Sequence, residues 1–401
     1  MDVYVARQPI FKRNKKILGY ELLFRDGVSG FFSGEDGNIA TSNVLSRSFI
    51  SIGIEGIVGN NPAFINFTRD LLLKQIPQMF PKERLVVEIL EDMMPQDDVI
   101  NACRELHQKG YTIALDDFFY KSGMKPLVAL ADIIKFDFRS SPIETIREDI
   151  KRFSRYNIKF LAEKVETNEE FQTALDMGCE YFQGYFFSDP ETIKGKDISS
   201  AQMNLLRIMA EANKRDFSFD KVESIISRDV AISYKLLRYI NSAFYRKEAK
   251  VSSIKQAMLL LGEKGIRSFL SLIAMTKLGQ NKPDELIRSS VIRAKFCEQL
   301  GDEKGSSIDS SELFTLGLFS SIDAILDDTM ENLIGKLPLS DELKDALIHG
   351  EGELNNYLCL TVSYEKGDWE GVSNFSNYIQ IDDQVLPRYF ITAINWADAI
   401  I

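Results

Sequence analysis

FLAEKVETNEEFQTALDMGCEYFQGYFF, residues 160–187, reads as a complete strand–helix–strand unit. FLAEKVE is a short apolar run that finishes on polar groups. NEEFQTALDMG (168–178) carries apolar residues at helix spacing, and Gly178 stops it as a C-terminal glycine does. CEYFQGYFF then supplies the next strand. The same order recurs upstream, where the helical DDVINACRELHQKG (97–110) ends at Gly110 and YTIALDD follows. TSNVLSRSFISIGI (41–54) has helical spacing as well. Repeated helix-then-strand units of this length imply a mostly parallel sheet with right-handed crossovers.

Each apolar run also delivers a polar side chain able to bind metal or orient water. These are Glu21 in YELLF, Asn66 in FINFT, Glu88 in LVVEIL, Asp116 and Asp117 in IALDD, Lys135 in IIKFDF, Glu163 in FLAEKVE and Gln183 in YFQGYFF. A serial array of this kind describes one mouth, formed by the C-terminal strand ends of a β/α barrel. Carboxylates converging there repel one another unless cations sit among them, so a divalent metal site is expected. The first unit breaks the rhythm. VYVARQPIFKRNKKILGYELLFR is two extended runs joined by KRNKK, a solvated turn, and hence a hairpin. The expected fold class is α/β plus all-α: a modified TIM-like (β/α)8 barrel with one antiparallel strand, then a helical bundle.

A chain of 401 residues exceeds what one core usually sustains. SDPETIKGKDIS (188–199) is polar and broken by Pro190 and Gly195, which makes it the best boundary, with domains expected over 1–192 and 198–401. Beyond it the periodicity is helical, as in KVESIISRDVAISYKLLRYINSAFY (221–245); Ser253 and Gln256 form a capping box, and Gly262 closes the helix they begin. With 45% hydrophobic and 27% charged residues the composition is that of a globular protein. No apolar stretch suits a membrane helix, and MDVYVARQPIF lacks the parts of a signal peptide, so no membrane partner and a cytoplasmic location are expected. A net charge of −11 argues against binding nucleic-acid polymers. Cys103, Cys179, Cys297 and Cys359 are scattered singly and read as unpaired thiols. The only histidines, His107 and His349, read as helix-end residues, and their scarcity excludes a histidine-rich metal site.

Glu, Asp and the Asn amide are hard oxygen donors suited to Mg²⁺ or Mn²⁺, and two such ions suit phosphodiester cleavage. The ordered motifs resemble an EAL domain, the family that hydrolyses cyclic di-GMP to linear pGpG. Its name motif stands here as Glu21-Leu22-Leu23, followed by Phe24 and Arg25, with leucine in place of the middle alanine. Asn66, the ExxE of Glu88 and Glu91, the pair Asp116–Asp117, and Lys135 with Asp137 match in order. So do Ala162-Glu163-Lys164-Val165-Glu166-Thr167 and Gln183-Gly184-Tyr185.

The resemblance implies Glu21, Asn66, Glu88, Asp116, Asp117 and Glu163 as ligands of two divalent cations. Glu21, Lys135, Glu163 and Asp117 form the implied catalytic set, Lys135 orienting the attacking water. Arg25 contacts the substrate phosphate, and Gln183 acts at the substrate and metal shell. Plainer roles stand beside these: Arg25 as a salt-bridge partner and Gln183 as a rim hydrogen bonder, while Asp137 is open between a metal ligand and a buttress of Lys135. After the aspartate pair the family usually reads FGTGYSS, a loop that couples metals to dimerisation and is held by the residue matching Glu91. This chain has Phe118-Phe119-Tyr120-Lys121-Ser122-Gly123 instead. Dimerisation is therefore an open expectation, and a non-catalytic cyclic di-GMP receptor or a scaffold is the alternative function.

LLRYINSAFY (236–245), VSSIKQAMLLLGEKGIRSFL (251–270) and LFTLGLFSSIDAIL (313–326) resemble an HDOD domain. Where the related HD hydrolases carry adjacent His and Asp, this chain has Ser320 and Ser321. The resemblance thus implies a docking or regulatory module for a protein partner.

Overall fold

Eight strands close into a barrel in the order β1 to β8: Val3–Lys12, Ile17–Asp26, Ala63–Phe67, Leu85–Ile89, Thr112–Leu115, Ile133–Asp137, Lys159–Glu163 and Tyr181–Gln183. The computed structural model describes residues 3–26, 54–90, 93, 95–121, 123–185, 218–228, 230–241, 251–279, 282–304, 308–335, 337 and 339–399. The expected helix over 41–54, but for its last position, and the expected boundary over 188–199 lie outside that set. The chain divides into two units, one of Met1–Asp189 with Glu365–Gly367 and one of Pro190–Tyr364 with Asp368–Ile401.

The hairpin at the start is the feature that makes the barrel mixed. β1 runs antiparallel to both its neighbours, β2 and β8, and every other pairing is parallel. The KRNKK turn is closed by Lys12 N–H donating to Lys16 O at 2.8 Å, with Lys15 at φ 57°. Between the parallel strands run α1 (Glu55–Val58), α2 (Arg69–Leu73), α3 (Asp97–Gln108), α4 (Lys125–Val128), α5 (Ile143–Phe153) and α6 (Asn168–Met177). α3 buries Val99, Ile100, Cys103 and Leu106, the stripe that its spacing predicts. Gly110 and Gly178 take the left-handed conformation after their helices, at φ 86° and 101°.

Strand periodicity links this core to the mouth. Ile10, Phe64, Val86, Ala114, Ile133 and Leu161 form one buried interior layer, joined by Leu18 and Tyr181. Two residues further along six of the strands stand Asn66, Glu88, Asp116, Lys135, Glu163 and Gln183. A period of two puts each of them on the same inward face, one layer above the apolar floor. Outward-facing Ile65, Val87, Ile134 and Phe160 are buried too, as parallel strands under helices require.

The second unit is helical: α7 (Phe219–Arg228), α8 (Val230–Ile240), α9 (Ile254–Leu278), α10 (Asp284–Lys304), α11 (Ser310–Phe319), α12 (Ile322–Leu326), α13 (Met330–Ile334), α14 (Asp341–Ile348), α15 (Glu353–Lys366), α16 (Trp369–Ile379) and α17 (Leu386–Asp398). Ser253 accepts from Gln256 N–H, the serine half of the expected box. Gly262, at φ 67°, breaks helical geometry inside α9, so the first helical stretch ends there as the sequence indicates. His107 lies in the last turn of α3 and His349 caps α14. No helix among the described residues is long and apolar enough to cross a membrane.

Candidate active site

Lys135 is the centre of the mouth. It stands third in the fully buried strand β6, and its ammonium is 0% exposed. Nζ lies 2.6 Å from Glu88 Oε1, 2.7 Å from Asp116 Oδ1, 2.8 Å from Glu163 Oε1 and 3.6 Å from Glu21 Oε1. Four carboxylates from β2, β4, β7 and the end of β5 thus meet on one cation. Asp116 is brought there by backbone: its N–H donates to Ile89 O at 2.9 Å, and Phe118 N–H donates to Lys135 O at 2.9 Å. Those bonds carry the sheet pairing one step past the end of β5.

Amides complete the ring. Asn66 Nδ2 donates to Glu21 Oε1 at 3.2 Å, and Gln183 Nε2 donates to Glu21 Oε2 at 2.5 Å and to Gln8 Oε1 at 2.9 Å. Glu21 itself is the fifth of ten residues in β2 rather than its last. It reaches the mouth because β3 pairs with β2 only at Tyr20 and Glu21. Glu21, Asn66, Glu88, Asp116, Lys135, Glu163 and Gln183 are therefore assembled in one site.

One buried ammonium cannot balance four carboxylates. Burial pushes the Glu88 carboxyl well above its ordinary pKa, with Glu21 and Asp116 adding to the rise against the pull of Lys135. Glu163 is pushed up to about 8, mainly by burial, with Asp116 and Glu21 contributing. Burial opposes the charge on Lys135, but Glu163, Glu21, Glu88 and Asp116 outweigh it and hold the lysine protonated. Burial and mutual repulsion thus work against full ionisation of Glu88 and Glu163, and an added cation would work for it.

Asp117 stands to one side of this ring. It takes φ 39°, and burial followed by the charge of Asp116 raises its pKa. Asp137 is on the inward face of β6, but its carboxylate bonds elsewhere than the expected Lys135. Oδ1 accepts from Arg139 N–H at 2.7 Å and Ser140 N–H at 3.0 Å, and Oδ2 accepts from Ser140 Oγ at 2.6 Å and Lys164 Nζ at 2.5 Å. A carboxylate within reach of the amides of the turn after β6 is drawn to them and away from the strand interior. In the loop after Asp117, Phe118 is buried edge-on against Phe136 and Phe153, while Phe119 is 53% exposed. The side chains of Arg25 and Glu91 lie outside the described residues.

Two residues at the site have roles that the sequence reading did not assign. Gln8 faces Glu21 across the hairpin register and bonds Gln183. Nothing but pairing with the glutamate strand marks it. Lys164 interrupts a carboxylate-rich run with a cation, and that local signal was legible.

The donor set fits divalent cations. Asn66 Oδ1, Glu88 Oε2 and Gln183 Oε1 are buried oxygens that accept no hydrogen bond, and hard oxygen ligands surround them. Among the described residues, no three acidic, imidazole or thiol groups stand as a preformed ligand cage. The carboxylates are gathered on Lys135 instead.

In the second unit, Ser320 ends α11 and Ser321 precedes α12. Buried Arg293 donates through Nη1 to Ser320 Oγ at 3.2 Å and Ser321 Oγ at 2.9 Å. The position expected to differ from a His–Asp metal pair therefore holds two hydroxyls and a guanidinium.

Comparison with known proteins agrees with both halves. The EAL domain model matches residues 43–190 and the HDOD domain model residues 198–336. The chain is 37% identical to the cyclic di-GMP phosphodiesterase CdgJ of Vibrio cholerae serotype O1 over 402 residues, covering 99% of this chain and 93% of that one. It is 34% identical to the protein YuxH of Bacillus subtilis strain 168, over 99% of this chain and 98% of that one. A solved Bacillus subtilis structure, the YkuI protein with an EAL domain in complex with c-di-GMP and calcium, is 19% identical with a TM-score of 0.40, covering 65% of this chain and 73% of that one. The relatedness along nearly the full length, with the two domains in this order, makes the chain a member of the family that joins an EAL domain to an HDOD domain.

Proposed function

We propose that this protein is a divalent-metal-dependent cyclic di-GMP phosphodiesterase that releases linear pGpG. The observation that carries the chemistry is the convergence of Glu21, Glu88, Asp116 and Glu163 on Lys135 at the barrel mouth. The substrate is taken from the name of the full-length Vibrio cholerae relative. Bound Mg²⁺ or Mn²⁺ supplies an acidified water and neutralises charge on the phosphodiester.

Glu21, Asn66, Glu88, Asp116, Asp117 and Glu163 would hold two such cations. Lys135 orients the attacking water and faces the negative charge that grows on the phosphate oxygens. Glu163 accepts the proton as the water oxygen bonds to phosphorus. The bond from phosphorus to the ribose 3′-oxygen breaks, and that oxygen takes a proton from solvent and leaves as a hydroxyl. Gln183 fixes Glu21, and Arg25 binds a phosphate of the substrate. The helical unit, with Arg293 and two serines where a His–Asp pair would stand, serves as a docking or regulatory module.

The test is chromatographic: full-length protein with cyclic di-GMP and Mn²⁺ or Mg²⁺, beside Asp116→Ala. Release of pGpG by the wild type alone is the expected result, and equal turnover by both proteins overturns the reading. The unusual loop with buried Phe118 and exposed Phe119 favours one second reading, a receptor that binds cyclic di-GMP through the same mouth. Nucleotide binding by calorimetry without any pGpG would establish that one.

A further inference from the structure

Lys164 carries a second ammonium into the mouth from an unusual backbone position. It follows Glu163 directly at the end of β7 and takes φ 54°, the left-handed region that non-glycine residues seldom adopt. The next residue is clamped in place. Val165 N–H donates to Gln183 O at 3.0 Å, and Gly184 lies so close that a Cβ there would be 2.0 Å from Val165 O.

With Val165 fixed, the left-handed turn sends the lysine side chain across to β6. Its Nζ bonds Asp137 Oδ2 at 2.5 Å, the lysine side chain being 55% exposed and the aspartate 4%. Asp137 is itself immobilised by the Arg139 and Ser140 donors described above. Asp117 and Glu163 also lie within electrostatic reach of Lys164. Asp117, the implied ligand outside the Lys135 ring, thus feels the charge of a cation tethered to Asp137.

We propose that Lys164 is a positioning residue that competes with a divalent cation for the Asp117 side of the mouth. The inference rests on the metal-dependent reading. A fixed positive charge beside Asp117 and Glu163 repels an incoming cation and takes up negative charge that would draw one in. Lys135 holds the floor of the site, and Lys164 sets how readily its rim is loaded.

The test reads metal binding without nucleotide: titration with Mn²⁺ alone, following free Mn²⁺ by electron paramagnetic resonance. Lys164→Met keeps the side-chain stem and removes the charge, and Lys164→Arg keeps the charge. The expected result is about tenfold tighter binding at the weaker Mn²⁺ site in Lys164→Met. Lys164→Arg should follow the wild type, and the gain should vanish in Lys164→Met/Asp117→Asn. Lys164→Gly, which suits the left-handed backbone, gives a second charge-free variant should the methionine protein fold poorly. Binding by the charge-free variants equal to or weaker than the wild type overturns the inference. If that result accompanies Mn²⁺ binding and pGpG release by the wild type, the phosphodiesterase reading stands and this one falls. If no variant binds Mn²⁺, both the metal-dependent reading and this inference fall.

Discussion

At the scale of single residues, two aspartates on neighbouring strands meet opposite fates. Asp116 is drawn onto a buried lysine, whereas Asp137 collects donors from a turn. Burial would raise the Asp137 pKa, but Lys164, Ser140 and the backbone N–H groups of Arg139 and Ser140 outweigh it and hold the carboxyl at about 2. A carboxyl held below its unfolded value stabilises the fold above that value and loses the contribution as pH falls toward the folded one. Wild type should therefore exceed Asp137→Asn in stability by about 2 kcal/mol at neutral pH, with allowance for solvent around Lys164. The gap should close between about pH 4 and pH 2. Urea melts of both proteins across that range check this, and a gap that widens on acidification would refute the assignment. The glutamates, the asparagine and the aspartate pair were legible one by one from their strands. Their common focus on Lys135 was not, because the lysine's partners come from residues 21, 88, 116 and 163, and only closure of the barrel brings them together. Lys135 was read as a water-orienting group, and its place as the hub of the carboxylates is a tertiary fact.

At the scale of elements, the seams between strand and helix carry the information that periodicity does not. α6 begins with a capping box in which Thr167 accepts from Glu170 N–H and Glu170 reaches back to the Thr167 N–H. The T-x-x-E signature stands in the sequence, yet the helix over 168–178 was read from its apolar spacing and Gly178, and the box itself went unread. The left-handed backbone at Asp117 and Lys164 had no such signature, since nothing in either residue type demands a positive φ. Gly184 is the readable counterpart. At φ 141° and against the Val165 backbone it leaves no room for a side chain. Gly184→Ala should destabilise the barrel by about 3 kcal/mol or more, through backbone strain and overpacking together. Thermal melting checks this, and an unchanged midpoint would show that β7 and β8 can separate without cost. β2 is the second extended run of the expected hairpin, but Glu21, expected at a strand end, stands midway along its ten residues. The alternation within the run placed the glutamate on the correct face all the same.

At the scale of the whole molecule, each unit has its own buried thiols, and these report on it separately. Cys103 and Cys179 are buried in the barrel unit, where burial pushes their pKa values up to about 11 and about 12. Cys297 is buried in the helical unit, and Cys359 is partly exposed. In folded protein at pH 7.5 alkylation should therefore begin at Cys359, since the thiolate is the reactive form and needs solvent access. With increasing urea Cys103 and Cys179 should become reactive at one shared concentration, as members of one cooperative core. Peptide mass spectrometry after iodoacetamide pulses checks both statements, and separate midpoints for the two barrel thiols would contradict them. The division into two kinds of architecture was legible in the change of periodicity after the barrel, and the mixed barrel in its opening hairpin. That hairpin has a temporal consequence. β1 pairs with β2 within a few residues, yet its other edge waits for Tyr181–Gln183, the last strand of the barrel. As the chain emerges from the ribosome, an extended edge is made first and covered last. Over that interval it is a template for wrong pairing between nascent chains, and the barrel's yield depends on how quickly three late residues arrive to seal it.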